Sequence, residues 1–569
     1  MRSRQCLAIS CLFAFGALLV APATDAASFP AVQGHGGAVA SAEPASTEVG
    51  LEILRVGGNA VDAAVATALA LAVVHPQAGN LGGGGFAVVR MEGQLTSLDF
   101  REVAPAAATR EMYLDAEGRP VKDASIFGPL AAGVPGSPIG LYELHQRYGA
   151  LPWPQVVRPA RLLASDGFQV TTRLRESLAE EQETLERFPE TAAVWLPDGR
   201  PPAVGSRMRL PALAATLEAY AEQGPRALTE GPIAEAIERA SEAHGGLLRV
   251  SDLQSYVAVW RRPLEFSAFG WEMAAMDLPA SGGIIVAQTL DLLESLGWSE
   301  LSRFGADRAH LLAEVWRRSY ADRFLMGDPR SSEADSQGLL APEWLAYRRS
   351  TIQMDKASLS ADIARLPASP PAESPDTTHV AVADAAGNLV TLTTTLNDTF
   401  GCRLLVPEAG FLLNNEMDDF AAAPGRPNMF GLVQGEANAV RPGHRMLSSM
   451  TPTLAWRGEE AVSLGGRGGS RIPTAVAQVL LHLLVDGDPL QTAIDRPRLH
   501  HQWLPDVLRA EAGALSPETI EELSRRGHEV DIWTKDAKVN AVRALEDGTF
   551  EAAADPRGPG SAGVVEPIH

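Results

Sequence analysis

Two apolar stretches of different kind open the chain. The first, over 6–20, follows Arg2 and Arg4 and precedes Thr24-Asp25-Ala26, a small-x-small pattern. A basic start, a short apolar run and small residues after it predict a secretory signal peptide over 1–26, too short for a comfortable transmembrane span. The second stretch predicts a helix over 60–74 capped by Asn59. Only Asp62 and Thr67 interrupt its apolar surface, so burial on most sides is expected. A helix before it is expected to begin at Ser46 or Thr47 and to end at Arg55, before Gly57-Gly58; His75-Pro76 stops the second. Gly82-Gly83-Gly84-Gly85 then leads into Phe86-Ala87-Val88-Val89-Arg90, a strand pattern. The glycines lack the Lys-Ser/Thr and the following helix of a phosphate loop, so they read as a place of close backbone packing. Helical periodicity dominates 140–350, with examples at 212–222, 232–243, 284–296 and 306–325. A Pro/Ser/Ala-rich stretch over 367–375 breaks it. Immediately afterwards the period becomes two. Residues 378–383 and 389–396 flank the turn Asp384-Ala385-Ala386-Gly387-Asn388 and predict a hairpin. A loop running straight into a strand at Thr377-Thr378 is the sharpest boundary in the sequence.

Composition narrows the classes. Hydrophobic residues make up 46% and charged ones 21%, which excludes a largely disordered chain. A net charge of −22 without a basic patch excludes a binder that tracks nucleic-acid phosphates. Of three cysteines, Cys6 and Cys11 leave with the leader and Cys402 has no intrachain partner, so an exported protein without disulfides is expected. No His-x-x-x-His or cysteine cluster points to a metal, and no cofactor is expected.

Several segments then match one family in order. Asp376-Thr377-Thr378-His379, Leu396-Asn397, Leu413-Asn414-Asn415-Glu416-Met417-Asp418-Asp419-Phe420, Leu447-Ser448-Ser449-Met450-Thr451-Pro452-Thr453 and Gly468-Gly469-Ser470-Arg471 resemble the γ-glutamyltransferases. Upstream, Gly57-Gly58-Asn59-Ala60-Val61-Asp62-Ala63-Ala64 and Asp99-Phe100-Arg101-Glu102-Val103-Ala104-Pro105 resemble the same family's first half. The resemblance implies an α+β fold of the N-terminal nucleophile hydrolase type, an αββα sandwich of two stacked sheets flanked by helices. It implies a precursor that cuts itself between Asp376 and Thr377. The large subunit, 27–376, and the small catalytic subunit, 377–569, would remain one intertwined heterodimer.

The residue types suit the implied chemistry. A Thr hydroxyl needs a base, and an N-terminal Thr carries one in its own α-amine, whose pKa is about 7.7–8.0. The resemblance makes Thr377 the nucleophile and Thr395 its hydrogen-bonding neighbour. Gly468 and Gly469 fall at the oxyanion-hole positions, where glycines permit close backbone approach. For the donor's carboxylate it implies Arg101, Ser448 and Ser449, and for its ammonium Asn397, Glu416 and Asp419. Residues 430–445 resemble a lid loop with Phe430 as an aromatic gate. The implied donors are glutathione and other γ-glutamyl compounds; the acceptors are water, amino acids or dipeptides. The expected location is periplasmic or secreted. His379, His500 and His501 are read as structural.

The pattern departs from the family in two places. Arg467 stands before Gly468 where Pro is usual, and Cys402-Arg403 replaces small residues. Both put the acceptor side in question. Rival readings are a cephalosporin or glutaryl acylase, a poly-γ-glutamate depolymerase, or a non-catalytic homologue.

Overall fold

The structure, a computed structural model, describes residues 28–363, 377–426, 428, 432–534 and 537–566. The leader, Asp376 and Phe430 lie outside the described residues.

Strands alternate apolar side chains between two destinations, and that alternation builds the layers. In the strand Thr377–Asp384, Val380 and Val382 join a core shared with helices, while Ala381 and Ala383 face a second sheet. In Gly84–Met91, Ala87 and Val89 take the first direction and Phe86 and Val88 the second. Alanines recur on the inner faces, at Ala38, Ala40, Ala274 and Ala552 among others, and let the two sheets approach closely. Each sheet has seven strands. One runs in the order 561–564, 37–41, 377–384, 389–395, 84–91, 94–99, 259–261. The other runs 32–34, 550–553, 538–544, 460–467, 453–457, 271–275, 264–268. Pro44–Arg55 and Ala60–Val74 cover the outer face of the first. Gly282–Ser295 and Ile472–Leu480 pack on the second, with Ala306–Arg323 against Gly282–Ser295. This is the expected αββα sandwich.

The helix Ala60–Val74 is buried along its whole length. Its start is a capping box. The Asn59 side chain accepts from the amides of Val61 and Asp62, and Asp62 accepts from the Asn59 amide. The helix before it differs from expectation. It spans Pro44–Arg55, and the Glu43 carboxylate caps it by accepting from Ala45 N at 2.7 Å. Pro44 supplies a first-turn position that needs no N–H. Ser46 sits inside and donates back to the Glu43 carbonyl. The four predicted middle helices occur as Pro211–Gln223, Gly231–Ala243, Gly282–Ser295 and Ala306–Arg323. No described helix is long and apolar enough to cross a membrane.

The glycine run does the work of close approach. A Cβ on Gly83 would lie 2.1 Å from the Thr395 carbonyl oxygen, and one on Gly85 2.2 Å from that of Thr393. Any side chain there would displace the strand that ends at Thr395.

Candidate active site

The predicted hairpin forms from Thr377–Asp384 and Leu389–Thr395, with Thr377 directly opposite Thr395. Both threonines therefore sit at the same end of one sheet, where the hairpin opens. Just past Thr395 the chain turns through Asn397, whose φ of +78° is a left-handed conformation that Asn tolerates better than most residues. The Asn397 amide donates to Thr395 Oγ1 at 2.7 Å, and its side chain donates to the Asn415 carbonyl at 3.1 Å.

Glu416–Asp419 is a single 3₁₀ turn. Residues three apart eclipse in that geometry, so both carboxylates project from one face. They meet Arg101, which follows the strand Gln94–Asp99. Arg101 Nη1 lies 2.5 Å from Glu416, Nη2 pairs with Asp419, and Glu102 stands 3.6 Å away. All four residues are buried.

Three carboxyl groups thus surround one guanidinium. Burial raises the pKa of Glu102, Glu416 and Asp419, while Arg101 opposes the rise in each. Neither oxygen of Glu102 has a hydrogen-bond partner, and its carboxyl is pushed up to about 8. Arg101 keeps its proton, its pKa raised against burial by Glu416, Asp419 and Glu102. One cation balances one anion, so protons are shared among the remaining carboxyls.

Arg101, Glu416 and Asp419 line one small cavity. Of the described catalytic and substrate residues singled out in the sequence, all except Gly468 line it; Met450 and Ile472 complete the wall. Gly468 lies one residue behind Gly469. With φ of +137° and +59°, the two glycines reverse the chain between the strand Glu460–Arg467 and the helix beginning at Ile472. A Cβ on Gly468 would sit 2.6 Å from the Ala537 Cα. The cavity thus receives the N-terminal end of a helix, the end whose dipole favours negative charge.

Sequence reasoning missed four supporting residues. Glu102 lay inside a quoted motif but was given no role. Ser281, Arg323 and Gln434 carried no local signal, because each reaches the site from a distant segment. Gln434 and Asn438 both donate to the Asp419 carbonyl, at 2.9 and 2.7 Å, so the described part of the 430–445 loop packs onto the 3₁₀ turn.

The departures from the family pattern point elsewhere. Arg467 does not line the cavity. It is buried and lies 3.3 Å from His75 Nε2, to which its Nη1 donates, at the end of the helix Ala60–Val74. Arg403 pairs with Asp398 at 2.7 Å and Glu181 at 2.9 Å. Cys402 is free and fully buried, and burial pushes its thiol up to about 12.

The three singled-out histidines do not line the cavity. His379 Nδ1 lies 2.9 Å from Thr393 Oγ1, His500 contacts Thr474 and Gln502, and His501 pairs with Asp506. Burial is the main cause that lowers each ring, His379 to about 3 and His501 to about 4. His528 is lowered to about 3 for the same reason. It belongs, with His310 and Glu314, to a group close enough to share an ion. Both Glu314 oxygens there already accept from Arg317, Arg318 and Ser358.

A folded pKa below the unfolded value of about 6.5 means that the unfolded chain takes up protons first. Stability contributed by these rings is complete above pH 6.5 and is lost as pH falls toward 4. From pH 7 to 5 His379, His501 and His528 each lose on the order of 2 kcal/mol, and the raised carboxyls around Arg101 offset part of that loss. Melting temperature is therefore expected to fall between pH 7 and 5, read by calorimetry; an unchanged value would refute the neutral, buried rings.

The family model described as gamma-glutamyltranspeptidase matches residues 46–565. A glutathione hydrolase proenzyme of Escherichia coli (strain K12) is 42% identical over 533 residues, covering 93% of this chain and 92% of the relative. Among solved structures, a cephalosporin acylase from Bacillus halodurans superposes with a TM-score of 0.83 at 25% identity, over 96% of this chain and 100% of that one. A Helicobacter pylori gamma-glutamyltranspeptidase has a TM-score of 0.55 at 35% identity, over 57% of this chain and 96% of that one.

Proposed function

The chain belongs to the gamma-glutamyltranspeptidase family, and from that premise we propose that it is an exported, self-cleaving γ-glutamyltransferase and glutathione hydrolase. The single observation that carries this reading is the cavity itself, lined by a Thr that begins a strand and by a guanidinium paired with carboxyls. A γ-glutamyl group carries an ammonium and a carboxylate on one carbon. Such a zwitterion adds no net charge. Its carboxylate meets Arg101 with the hydroxyls of Ser448 and Ser449, and its ammonium meets Asn397, Glu416 and Asp419. One internal ion pair is exchanged for two with the donor.

Cleavage before Thr377 frees the α-amine. The amine takes the hydroxyl proton, and Oγ1 attacks the donor's γ-carbonyl carbon. The backbone N–H groups at Gly468 and Gly469 hold the developing oxyanion. The amine side of the donor leaves, with Thr395 steadying the nucleophile. A γ-glutamyl ester on Thr377 then passes its acyl group to water, an amino acid or a dipeptide. The loop over 430–445 is read as the lid above Asp419. The leader over 1–26 supports export.

The large and small subunits, 27–376 and 377–569, stay together because their strands interleave. In one sheet the strands 37–41 and 84–91 flank the 377–395 hairpin; in the other, 550–553 lies beside 32–34.

The rival is a glutaryl acylase, favoured by the close superposition on the Bacillus halodurans cephalosporin acylase. A glutaryl group lacks the ammonium, so its carboxylate would reach Arg101 with nothing to balance the acidic side. Sites built for a polar group reject analogues that lack it by large factors, of order 10⁴ in favourable cases. kcat/KM for matched γ-glutamyl and glutaryl anilides decides between them. The γ-glutamyl donor is expected to win by at least a hundredfold, and equal values would reject this reading.

A further inference from the structure

Arg323 ends the helix Ala306–Arg323 and is buried, yet among the described residues no carboxylate pairs with it. Its guanidinium spreads over three neutral oxygens from three segments. Nε donates to Ser281 Oγ at 3.0 Å, Nη1 to Gln434 Oε1 at 3.1 Å and Nη2 to Ser449 Oγ at 3.4 Å. Arg101, by contrast, is matched by more carboxyl groups than it can balance. The site therefore holds one overmatched cation and one unmatched cation.

A guanidinium only donates, and that fixes the direction of every bond around it. Ser281 Oγ accepts from Arg323, so its own hydrogen goes to the Ser448 carbonyl at 2.7 Å; the Ser281 amide donates to that carbonyl too, at 2.8 Å. Gln434 Oε1 accepts from Arg323 and from Asn438, so its amide group donates to the Asp419 carbonyl. Ser449 Oγ also accepts. Its hydrogen finds no acceptor among the described residues, and Ser449 lines the cavity. Among the described residues that hydroxyl is left free to donate into the cavity.

We propose that Arg323 is a positioning residue for the donor's α-carboxylate, acting through Ser449. It turns the Ser449 hydroxyl into an obligate donor, fixes the Ser448 backbone through Ser281, and supplies a nearby positive charge with no described carboxylate in contact with it. The inference rests on the γ-glutamyl reading only in placing a carboxylate beside Ser449. Burial lowers the Arg323 pKa to about 10, and Asp419 is the largest opposing influence. The side chain thus remains charged at neutral pH.

The test uses three anilides on the mature enzyme. γ-Glutamyl carries both charged groups, glutaryl keeps the carboxylate alone, and 4-aminobutyryl keeps the ammonium alone. Self-cleavage into two chains serves as the folding control. Arg323→Gln is expected to lower kcat/KM tenfold or more for the two carboxylate-bearing donors, chiefly through KM. For 4-aminobutyryl, read as a rate or as competitive inhibition, it should change less than twofold. Arg323→Lys should recover part of the loss. In a Ser449→Ala background, Arg323→Gln should cost less than a further twofold. Equal losses on all three donors, or a full multiplicative loss beside Ser449→Ala, would overturn the proposal. If Arg323→Gln does not mature, Arg323→Lys is judged on the same donor ratios, and unchanged ratios overturn it. A wild type that prefers glutaryl defeats the γ-glutamyl reading alone, because the glutaryl donor still reports on Arg323.

Discussion

Thr377→Ala is expected to remain one uncut chain and to lose activity on γ-glutamyl anilides by a factor on the order of 10⁴ or more. Two consequences of one missing hydroxyl are combined here. No Oγ1 is available to attack the preceding carbonyl, so the α-amine that would serve as base is never released. No nucleophile is available afterwards to form the ester. The substitution itself is mild. Thr377 is the first residue of its strand, paired with Thr395, and replacing a β-branched residue there costs on the order of 1 kcal/mol. The fold should survive, and a melting curve close to that of the wild-type precursor separates lost chemistry from lost structure. Electrophoresis and N-terminal sequencing give the answer. Wild type should yield a small chain beginning at Thr377; a different start, or efficient cutting of the Ala variant, would remove Thr377 from the centre of the mechanism.

Arg101→Ala and Asp419→Ala should mature yet lose about 10²–10³ in kcat/KM, because the first event needs the threonine and the second needs the pocket. Removing one partner of a buried charge pair costs roughly 2–5 kcal/mol in binding, and each 1.36 kcal/mol is tenfold in rate. The two variants fail differently. Arg101→Ala leaves Glu102, Glu416 and Asp419 facing one another without their cation, so they take up protons and the carboxylate end of the donor loses its anchor. Asp419→Ala leaves Arg101 with Glu416, and the ammonium end loses a partner. The Asp419 main chain should hold its course, since Gln434 and Asn438 both fix its carbonyl. Asp419→Asn, which keeps the shape, tests charge against volume. Wild-type kcat/KM in either Ala variant would show that the donor binds elsewhere.

Much of the fold was legible because its signals are local. The Asn59–Asp62 capping box, the turn at 384–388 and the change of period after 375 each lie within a few residues. The site was legible where motif residues share a turn, as Glu416 and Asp419 do. It was not legible where the determining contact spans the chain. Ser281 falls just before the predicted helix 284–296, and Arg323 falls inside the predicted helix 306–325. The helix 306–323 carries Glu314, Arg317, Arg318 and Asp322, which suggests a wet face; all four are buried, with Glu314 bound to both arginines and Asp322 paired with Arg348. Adjacency in sequence to Gly468 did not bring Arg467 into the cavity lining; its side chain lies against His75. Ser46 and Thr47 are the common capping types, whereas the longer Glu43 side chain caps this helix by reaching Ala45 N past Pro44.

The interleaved strands make self-cleavage a step in the history of the molecule as well as in its chemistry. Before the cut, every strand of both sheets belongs to one covalent chain, and assembly is a unimolecular search. With the cut before Thr377, as proposed, the 377–395 hairpin would be held between strands of a different polypeptide. A mature molecule that unfolds fully would become two chains, neither of which contains either seven-stranded sheet complete. Recovery then requires an encounter between them and the insertion of a hairpin into a gap, at a rate that falls with dilution. The proposed cut would thereby convert a fold that one chain can rebuild alone into one that persists by the slowness of its loss.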